Sequence, residues 1–505
     1  MSTQPRHAPL DLPPDEFRAL GHRLVDRIAD FLATLPSRPV APANPLPAIR
    51  AALPAGPLPE SGAAADELLD HVARTLFEHS LFNGHPRFWG YITSSAAPIG
   101  ALADLLAAAV NPNVGSFALA PVATEIERQA VRWIAELVGF TPDAGGLLVS
   151  GGNMANFVCF LAARTARAGQ DVRSAGLAAA DAPRLRVYAS TETHTWIHKA
   201  ADLFGLGTDA IRWIPVDAGL RMSAAALHET VREDLLKGDQ PLLVVANAGT
   251  VATGAVDPIP AIAEVCRELG VWLHVDGAYG ALAAAAPGAP PDLAGIALAD
   301  SVAVDPHKWL YTPLEAGCAL VRDDQALLDA FSYRPSYYRF EGAGDGEPPL
   351  NFYELGPQNS RGFRALKVWL GLRQAGRQGY ARMIADDMRL AERLFENASR
   401  HPELEAATSS LSIVTFRFVP EDVDRTAPGA EAYLNELNSD LLGEIQASGE
   451  AYLSNAVVGG RYLLRACIVN FRTAERDVDA LPEIVVRLGR RLHARKRART
   501  AGGQG

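Results

Sequence analysis

Residues Ser301–Leu320 read SVAVDPHKWLYTPLEAGCAL, and this stretch decides how the rest of the chain is read. Val302 and Val304 belong to one apolar run, and Ala316–Val321 form a second. Short β-branched and apolar runs of this kind have the composition of buried strands. Between them stand His307, Lys308 and Trp309, with Pro306 before and Leu310 after. A surface lysine normally has polar neighbours, whereas Lys308 has the setting of a lysine at a strand end, facing inward. Two readings are open. The lysine can bury its stem and carry its ammonium to water. Alternatively, a desolvated amine can serve as a nucleophile toward an aldehyde.

Working outward, short apolar runs alternate with helical patterns. Strands are expected at Leu147–Val149, Arg186–Ala189, Ile211–Pro215, Leu242–Ala246, Trp272–Val275, Ser301–Val304 and Gly317–Val321. Helical periodicity lies between most of them, as at Ala155–Arg167, Ala224–Lys237 and Ile259–Leu269. Such alternation predicts an α/β fold whose largely parallel sheet is covered by helices on both faces. Reactive side chains then gather at the carboxyl ends of the strands.

The flanks differ. Asp15–Leu35 and Ala65–Glu78 have helical period, and the proline-rich Pro36–Pro59 between them reads as an extended strap. Two helices and a strap cannot bury a core alone, so residues 1–97 form an arm suited to packing on a partner subunit. Two more helices, Pro98–Val110 and Ala123–Val138, open a large domain taken as 98–366. Within it Phe331–Ser360 is rich in Gly, Pro and Tyr, and so long a loop in a compact domain is usually functional. A smaller α+β part, 367–505, has helices at Arg364–Gly376, Ala381–Ala398 and Val478–Lys496, with strands at Ser412–Phe418 and Tyr462–Val469.

Composition narrows the function. The 505 residues carry 47 basic and 58 acidic side chains, a net charge of −11, which argues against a general nucleic-acid surface. Cys159, Cys266, Cys318 and Cys467 lie far apart, so neither a disulfide framework nor a zinc site is suggested, and a reducing cytoplasmic setting is expected. MSTQPRHAPLDLPP has no apolar core of a signal peptide. Ile99–Val110, interrupted by Asp104, is too short to span a bilayer. The basic tail Arg490–Arg499 reads as a solvated helix end.

Four further constellations follow predicted strands. Asp276 closes the run Trp272–Val275, 32 residues before Lys308 and one β-unit away. Alone it could be a turn residue, a metal ligand, a ribose acceptor or the partner of a ring nitrogen. Ser150-Gly151-Gly152-Asn153 stands between a strand and a helix, where glycines admit an anion to backbone N–H groups. It is neither GxGxxG nor a P-loop, so a nucleotide site is disfavoured. Ser190–Ala200 carries His194 and His198; without HExxH or an acidic third ligand they do not read as a metal pair. A histidine at a strand end can instead lie flat on an aromatic cofactor. Thr250, in Asn247–Gly254, is placed to reach a ring substituent. Lysine and aspartate at adjacent strand ends meet the needs of pyridoxal 5′-phosphate (PLP): an imine to the aldehyde, and a carboxylate that keeps the pyridine nitrogen protonated.

HVDGAYG at His274–Gly280 and DPHKWL at Asp305–Leu310, with STETH, NAGT and the later PSYY at matching spacing, resemble the PLP-dependent group II amino-acid decarboxylases. The aromatic-L-amino-acid decarboxylase type is nearest, with glutamate and histidine decarboxylases as cousins. The resemblance runs from about Glu16 to about Leu481. It implies the type I PLP fold, with a mostly parallel seven-stranded sheet, and a homodimer with interfacial active sites. It also implies roles: Lys308 as Schiff-base lysine, Asp276 as pyridinium partner, and His194 and Ala278 on the two faces of the ring. Gly151, Gly152 and Asn153 would bind phosphate, with His307 beside the lysine. Tyr337 would be the loop tyrosine that protonates the carbanion; phenylalanine there would suggest an aldehyde synthase.

Several positions depart from the animal aromatic enzymes. Gly151-Gly152-Asn153 replaces Ser-Ala-Ser, Val251 follows Thr250, and Asp305 stands where Asn is frequent. Trp196 is bulkier than usual and Ser360 replaces a common glycine, so Tyr91, Trp196 and Ser360 are candidate substrate contacts. The cofactor chemistry is untouched by these changes; the substrate is not. An aromatic amino acid is expected, with a glutamate-type decarboxylase or a decarboxylating aldehyde synthase as alternatives. A PLP-binding DNA regulator is disfavoured, because the first ~95 residues hold no recognition helix.

Overall fold

The computed structural model describes residues 8–42, 45–169, 171–177, 183–333 and 349–502. Seven strands form one sheet: β1 (Gly145–Val149), β2 (Leu185–Ser190), β3 (Ile211–Ile214), β4 (Gln240–Asn247), β5 (Trp272–Asp276), β6 (Ser301–Val304) and β7 (Gly317–Val321). Their order is β1-β7-β6-β5-β4-β2-β3. Every neighbouring pair is parallel except the two made by β7. All seven expected strands are present, within one or two residues at most ends.

The physical reason is visible in β4. Leu242, Leu243, Val244, Val245 and Ala246 are all fully buried, because helices cover both faces. Helices Gly152–Arg167 and Trp196–Leu203 pack on one side, with Pro121–Leu137 and Ile259–Leu269 on the other. A strand buried on both faces reads as a continuous apolar run without alternation. Since β7 reverses direction twice over, β1 and β6 run the same way. The carboxyl ends of β1, β2, β4, β5 and β6 therefore share one edge of the sheet.

One detail at that edge differs from the sequence reading. Lys308 is not the last residue of a strand; it lies in a single helical turn, Pro306–Trp309, after β6. Proline at the first position of that turn starts it without an unpaired N–H. Gly317 is also required here, since a Cβ on it would sit 2.5 Å from the backbone of Gly151.

A second, four-stranded antiparallel sheet has the order β10-β11-β9-β8. Its strands are β8 (Leu404–Ser410), β9 (Ile413–Phe418), β10 (Ser454–Val458) and β11 (Arg461–Cys467). Sequence reading found β9 and β11 and missed β8 and β10, whose exposed small and polar residues lack an apolar run. The two expected helices at 364–398 are present as the two halves of Ala365–Arg400, separated by a kink at Gly376, whose φ of 64° and ψ of 171° are not helical. The strap is not wholly extended either, because it contains a short helix, Leu46–Ala51. Helices Pro14–Thr34 and Ala65–His79 pack together, with Phe31 and Phe77 stacked at 4.5 Å. Much of their apolar surface stays uncovered within the chain, including Phe17, Leu68, Val72 and Leu76.

A buried ion pair ties β1 and helix Pro121–Leu137 to the segment that precedes helix Ala365–Arg400. Arg361 and Glu127 are both fully buried and bonded to each other. Arg361 also donates to the carbonyls of Val114 (3.0 Å) and Leu148 (2.7 Å) and lies over the ring of Phe352. Glu127 accepts from the N–H of Leu148 at 2.9 Å. Removing one partner of a buried pair strands the other charge, at a cost of about 3–5 kcal/mol. Arg361→Met is therefore expected to lower the thermal unfolding midpoint by several degrees; a midpoint equal to that of the natural protein would contradict this role.

Candidate active site

The shared strand edge opens into a cavity of about 300 Å3. Seven of the residues singled out from sequence for the cofactor line it directly: Gly152, Asn153, His194, Thr250, Asp276, Ala278 and Lys308. Tyr91, a candidate substrate contact, lines it as well.

Lys308 points its Nζ to within 2.9 Å of Asp305 Oδ2. Asp305 is buried and lines the cavity, and among the described residues its Oδ1 has no hydrogen-bond partner. The carboxylate thus keeps spare acceptor capacity. His307, the neighbour of the lysine, turns away. Its Nδ1 accepts from the N–H of Ala316 at 3.2 Å, and its ring borders a second cavity of about 290 Å3 beside Phe31 and Arg472. Burial lowers the His307 pKa, partly offset by Asp305.

Asp276 ends β5 with both carboxylate oxygens engaged. Oδ1 accepts from the N–H of Ala278 at 3.2 Å, and Oδ2 accepts from the indole Nε1 of Trp196 at 2.7 Å. His194 follows β2 across the cavity, and its Nδ1 accepts from the N–H of Trp196 at 3.3 Å. Its ring is open on the cavity side. The protein atoms crowded around it still lower its pKa, partly opposed by Asp276, so the neutral ring is favoured. Thr250 is held by Thr253, with their hydroxyls 3.1 Å apart.

The glycine turn is shaped by close contacts, and Gly152 but not Gly151 lines the cavity. Gly151 has φ 121°, a conformation that costs side-chain-bearing residues. A Cβ on Gly152 would lie 2.6 Å from Asp305 Oδ2 and 3.1 Å from Ala278 Cβ. The glycine keeps open the N-terminus of helix Gly152–Arg167, where backbone N–H groups favour an anion.

Three sequence assignments change or fall elsewhere. Trp196 is 1% exposed and does not line the cavity; it reaches Asp276 from behind the wall, so it is no substrate contact within this chain. Ser360 is exposed and stands apart from the cavity of its own chain. Tyr337 lies outside the described residues. His198, never a metal candidate of weight, packs against Trp213 with ring centres 5.0 Å apart.

The cavity also contains residues that sequence reading passed over. Arg465 on β11 is buried and donates to Ser454 Oγ at 2.8 Å, while its Nε has no partner. Among the described residues no carboxylate lies within ion-pair reach of it. An arginine inside the apolar run Tyr462–Val469 was the available signal. Asn247 ends β4 in a buried cluster, donating to Ser190 Oγ, Thr193 Oγ1 and Asp257 Oδ2. Asn156 lies one turn into the helix, and its Oδ1 accepts from His274 Nε2 at 2.7 Å. Burial holds His274 at a pKa of about 4, so the ring is neutral and its Nδ1 accepts from Ser301 at 2.9 Å.

These features suit PLP. An amine lining a cavity can bind an aldehyde, Asp276 can face a ring nitrogen, and the Gly151-Gly152 turn can hold a phosphate. The donor set leaves one acidic neighbour, Asp305, beside that turn.

Comparison with known proteins agrees. Residues 49–419 match the pyridoxal-dependent decarboxylase conserved domain. The chain is 35% identical over 470 residues to an aromatic-L-amino-acid decarboxylase of Bacillus atrophaeus, covering 93% of this chain and 94% of that one. It is 31% identical over 482 residues to a phenylacetaldehyde synthase of a Rosa hybrid cultivar, covering 92% of each. The crystal structure of Oryza sativa TDC with PLP and tryptamine superposes with a TM-score of 0.88 at 28% identity, over 96% of this chain and all of that one. With its match across most of its length and a cavity that unites lysine, aspartate and a glycine turn, the chain belongs to the pyridoxal-dependent decarboxylases and is a PLP-dependent carboxy-lyase.

Proposed function

We propose that this protein decarboxylates an aromatic L-amino acid, such as tryptophan, tyrosine, phenylalanine or DOPA, to the amine and CO2. The observation that carries the reading is the meeting of Lys308, Asp276, His194 and Arg465 around one cavity. When bound, PLP supplies an electron sink for the pair of electrons left at Cα as CO2 departs.

Each side chain has a definite task in this reading. Lys308 would anchor the cofactor aldehyde through Nζ. Asp276 would keep a proton on the ring nitrogen. The neutral ring of His194 would serve one face of the cofactor, and Ala278 is small enough to leave room on the other. Backbone N–H groups of Gly151, Gly152 and Asn153 would hold the phosphate. Arg465, a buried cation with no carboxylate among the described residues, receives the carboxylate of the incoming amino acid. Tyr91 and Val251, 57% and 41% exposed, sit at the mouth, where an aromatic side chain would enter. Tyr337 returns a proton to Cα, an assignment that rests on the family resemblance.

The same reading extends to assembly. Residues 1–97 serve as an arm that packs on a partner subunit, residues 98–366 carry the cofactor, and 367–505 form the small domain. The uncovered apolar faces of the arm and of helix Pro98–Val110, with Leu102, Leu105 and Leu106 about half exposed, support a homodimer. Ser360 would then reach the neighbouring site. Among the described residues no helix is long and apolar enough to cross a membrane. We take the enzyme to be cytoplasmic.

A second reading, oxidative conversion to an aldehyde, is favoured by the likeness to the phenylacetaldehyde synthase. Incubation with single amino acids separates the two. Amine and CO2 are expected from one or more aromatic substrates; aldehyde with peroxide, or turnover of glutamate alone, would refute the proposal. Lys308→Ala should abolish both the yellow colour of the bound cofactor and turnover, and normal turnover would remove Lys308 from its role. Tyr337→Phe should retain the cofactor while amine formation falls by about a hundredfold or more. An unchanged amine yield would exclude that tyrosine as the proton donor.

A further inference from the structure

Asp276 has only two donors among the described residues, and one of them comes from a side chain outside the cavity. The indole of Trp196 is buried in the first turn of helix Trp196–Leu203 and points its Nε1–H at Asp276 Oδ2, at 2.7 Å. That is a short, charge-assisted contact. The other oxygen takes the N–H of Ala278 at 3.2 Å.

We propose that Trp196 is a positioning residue for Asp276, fixing its carboxylate so that the remaining lone pairs face the ring nitrogen of the cofactor. The inference rests on the assignment of Asp276 to that nitrogen. It goes beyond that assignment by giving a task to a residue that lines no part of the cavity.

Three observations support it. First, an indole N–H is a donor only, so Trp196 can orient Asp276 but cannot take the proton that Asp276 is meant to hold on the ring. A hydroxyl or imidazole in the same place could do both. Second, the indole is itself held rigidly. Its ring meets His274 edge-on, with centres 5.8 Å apart and planes at 87°. His274 is fixed in turn by Asn156 and Ser301, and Ser301 accepts from Trp272 Nε1 at 2.8 Å. This buried chain runs beneath β5 and β6 and ends at Asn156, on the cavity wall. Third, the backbone N–H of Trp196 also bonds His194 Nδ1 at 3.3 Å. One residue thus touches both the ring-nitrogen partner and the candidate stacking histidine, which come from different strands.

The test compares two cofactors. Trp196→Phe keeps a planar ring and removes the N–H. The full-length variant and the natural protein are each titrated, cofactor-free, with PLP and with its 1-deaza analogue, in which C–H replaces the ring nitrogen. Binding is followed by quenching of tryptophan fluorescence. PLP affinity is expected to fall by about tenfold to a hundredfold, the cost of one hydrogen bond to a charged group, while affinity for the analogue changes by less than about twofold. Equal losses for both compounds, or no loss for either, would overturn the proposal. A natural protein that binds neither compound would instead overturn the assignment of the cofactor site. Should the variant fail to fold, the natural protein supplies the second arm. Among the indole N–H resonances of its seven tryptophans, one is expected to move on adding PLP and to stay in place with the analogue. Movement of the same resonance by both compounds, or by neither, would overturn the proposal.

Discussion

The site depends on a rigid weld between the turn that carries Lys308 and the strand end that carries Asp276. Trp309, next to the lysine, stacks on Tyr279, three residues past the aspartate, with ring centres 4.9 Å apart and planes at 15°. Both rings are pinned from behind. Trp309 Nε1 and the Tyr311 hydroxyl donate to Asp387 at 2.9 and 2.8 Å. The Tyr279 hydroxyl meets Ser412 Oγ at 2.7 Å and accepts the N–H of Ser412 at 3.0 Å. Asp387 lies on the long kinked helix and Ser412 just before β9. Lysine and aspartate are therefore held in register from two elements outside the large sheet. Burial pushes the Asp387 carboxyl up to about 7, so this tether is a buried acid sustained by its donors rather than by a cation.

Sheet topology does the remaining placement. Parallel β2, β4, β5 and β6 present their carboxyl ends together, and β1 joins them because β7 runs the other way between β1 and β6. The small sheet adds what the large one lacks, a buried guanidinium from β11 that enters the same cavity. Charge is divided accordingly. Asp305 stands beside the amine, Asp276 lines the same cavity, the helix N-terminus lies at the glycine turn, and Arg465 has no carboxylate within ion-pair reach among the described residues. Such a division suits a ligand with an aldehyde, a phosphate and a second, carboxylate-bearing partner.

Much of this was legible in the sequence because buried parallel strands leave continuous apolar runs, and because polar residues at their ends stand out against them. Lys308, Asp276, His194, Thr250 and Gly152 were all found in that way, and all meet at one cavity. Strands β8 and β10 were missed because solvent-facing strands of a small antiparallel sheet carry no such run. Arg465 was missed because its significance depends on a tertiary fact, the approach of β11 to the large sheet. Trp196 was read as a substrate contact from its size; only the packed structure shows its indole N–H turned toward Asp276. The break between two helices at Gly376 did follow from the sequence, since the first helical pattern ends on that glycine.

The account stands on Lys308 as the residue that carries the cofactor. Borohydride reduction of the PLP-loaded protein, followed by proteolysis and peptide mass mapping, tests that claim most directly. The account predicts a phosphopyridoxyl group on the single peptide containing Lys308. A label on another lysine, with Lys308 unmodified, would contradict it.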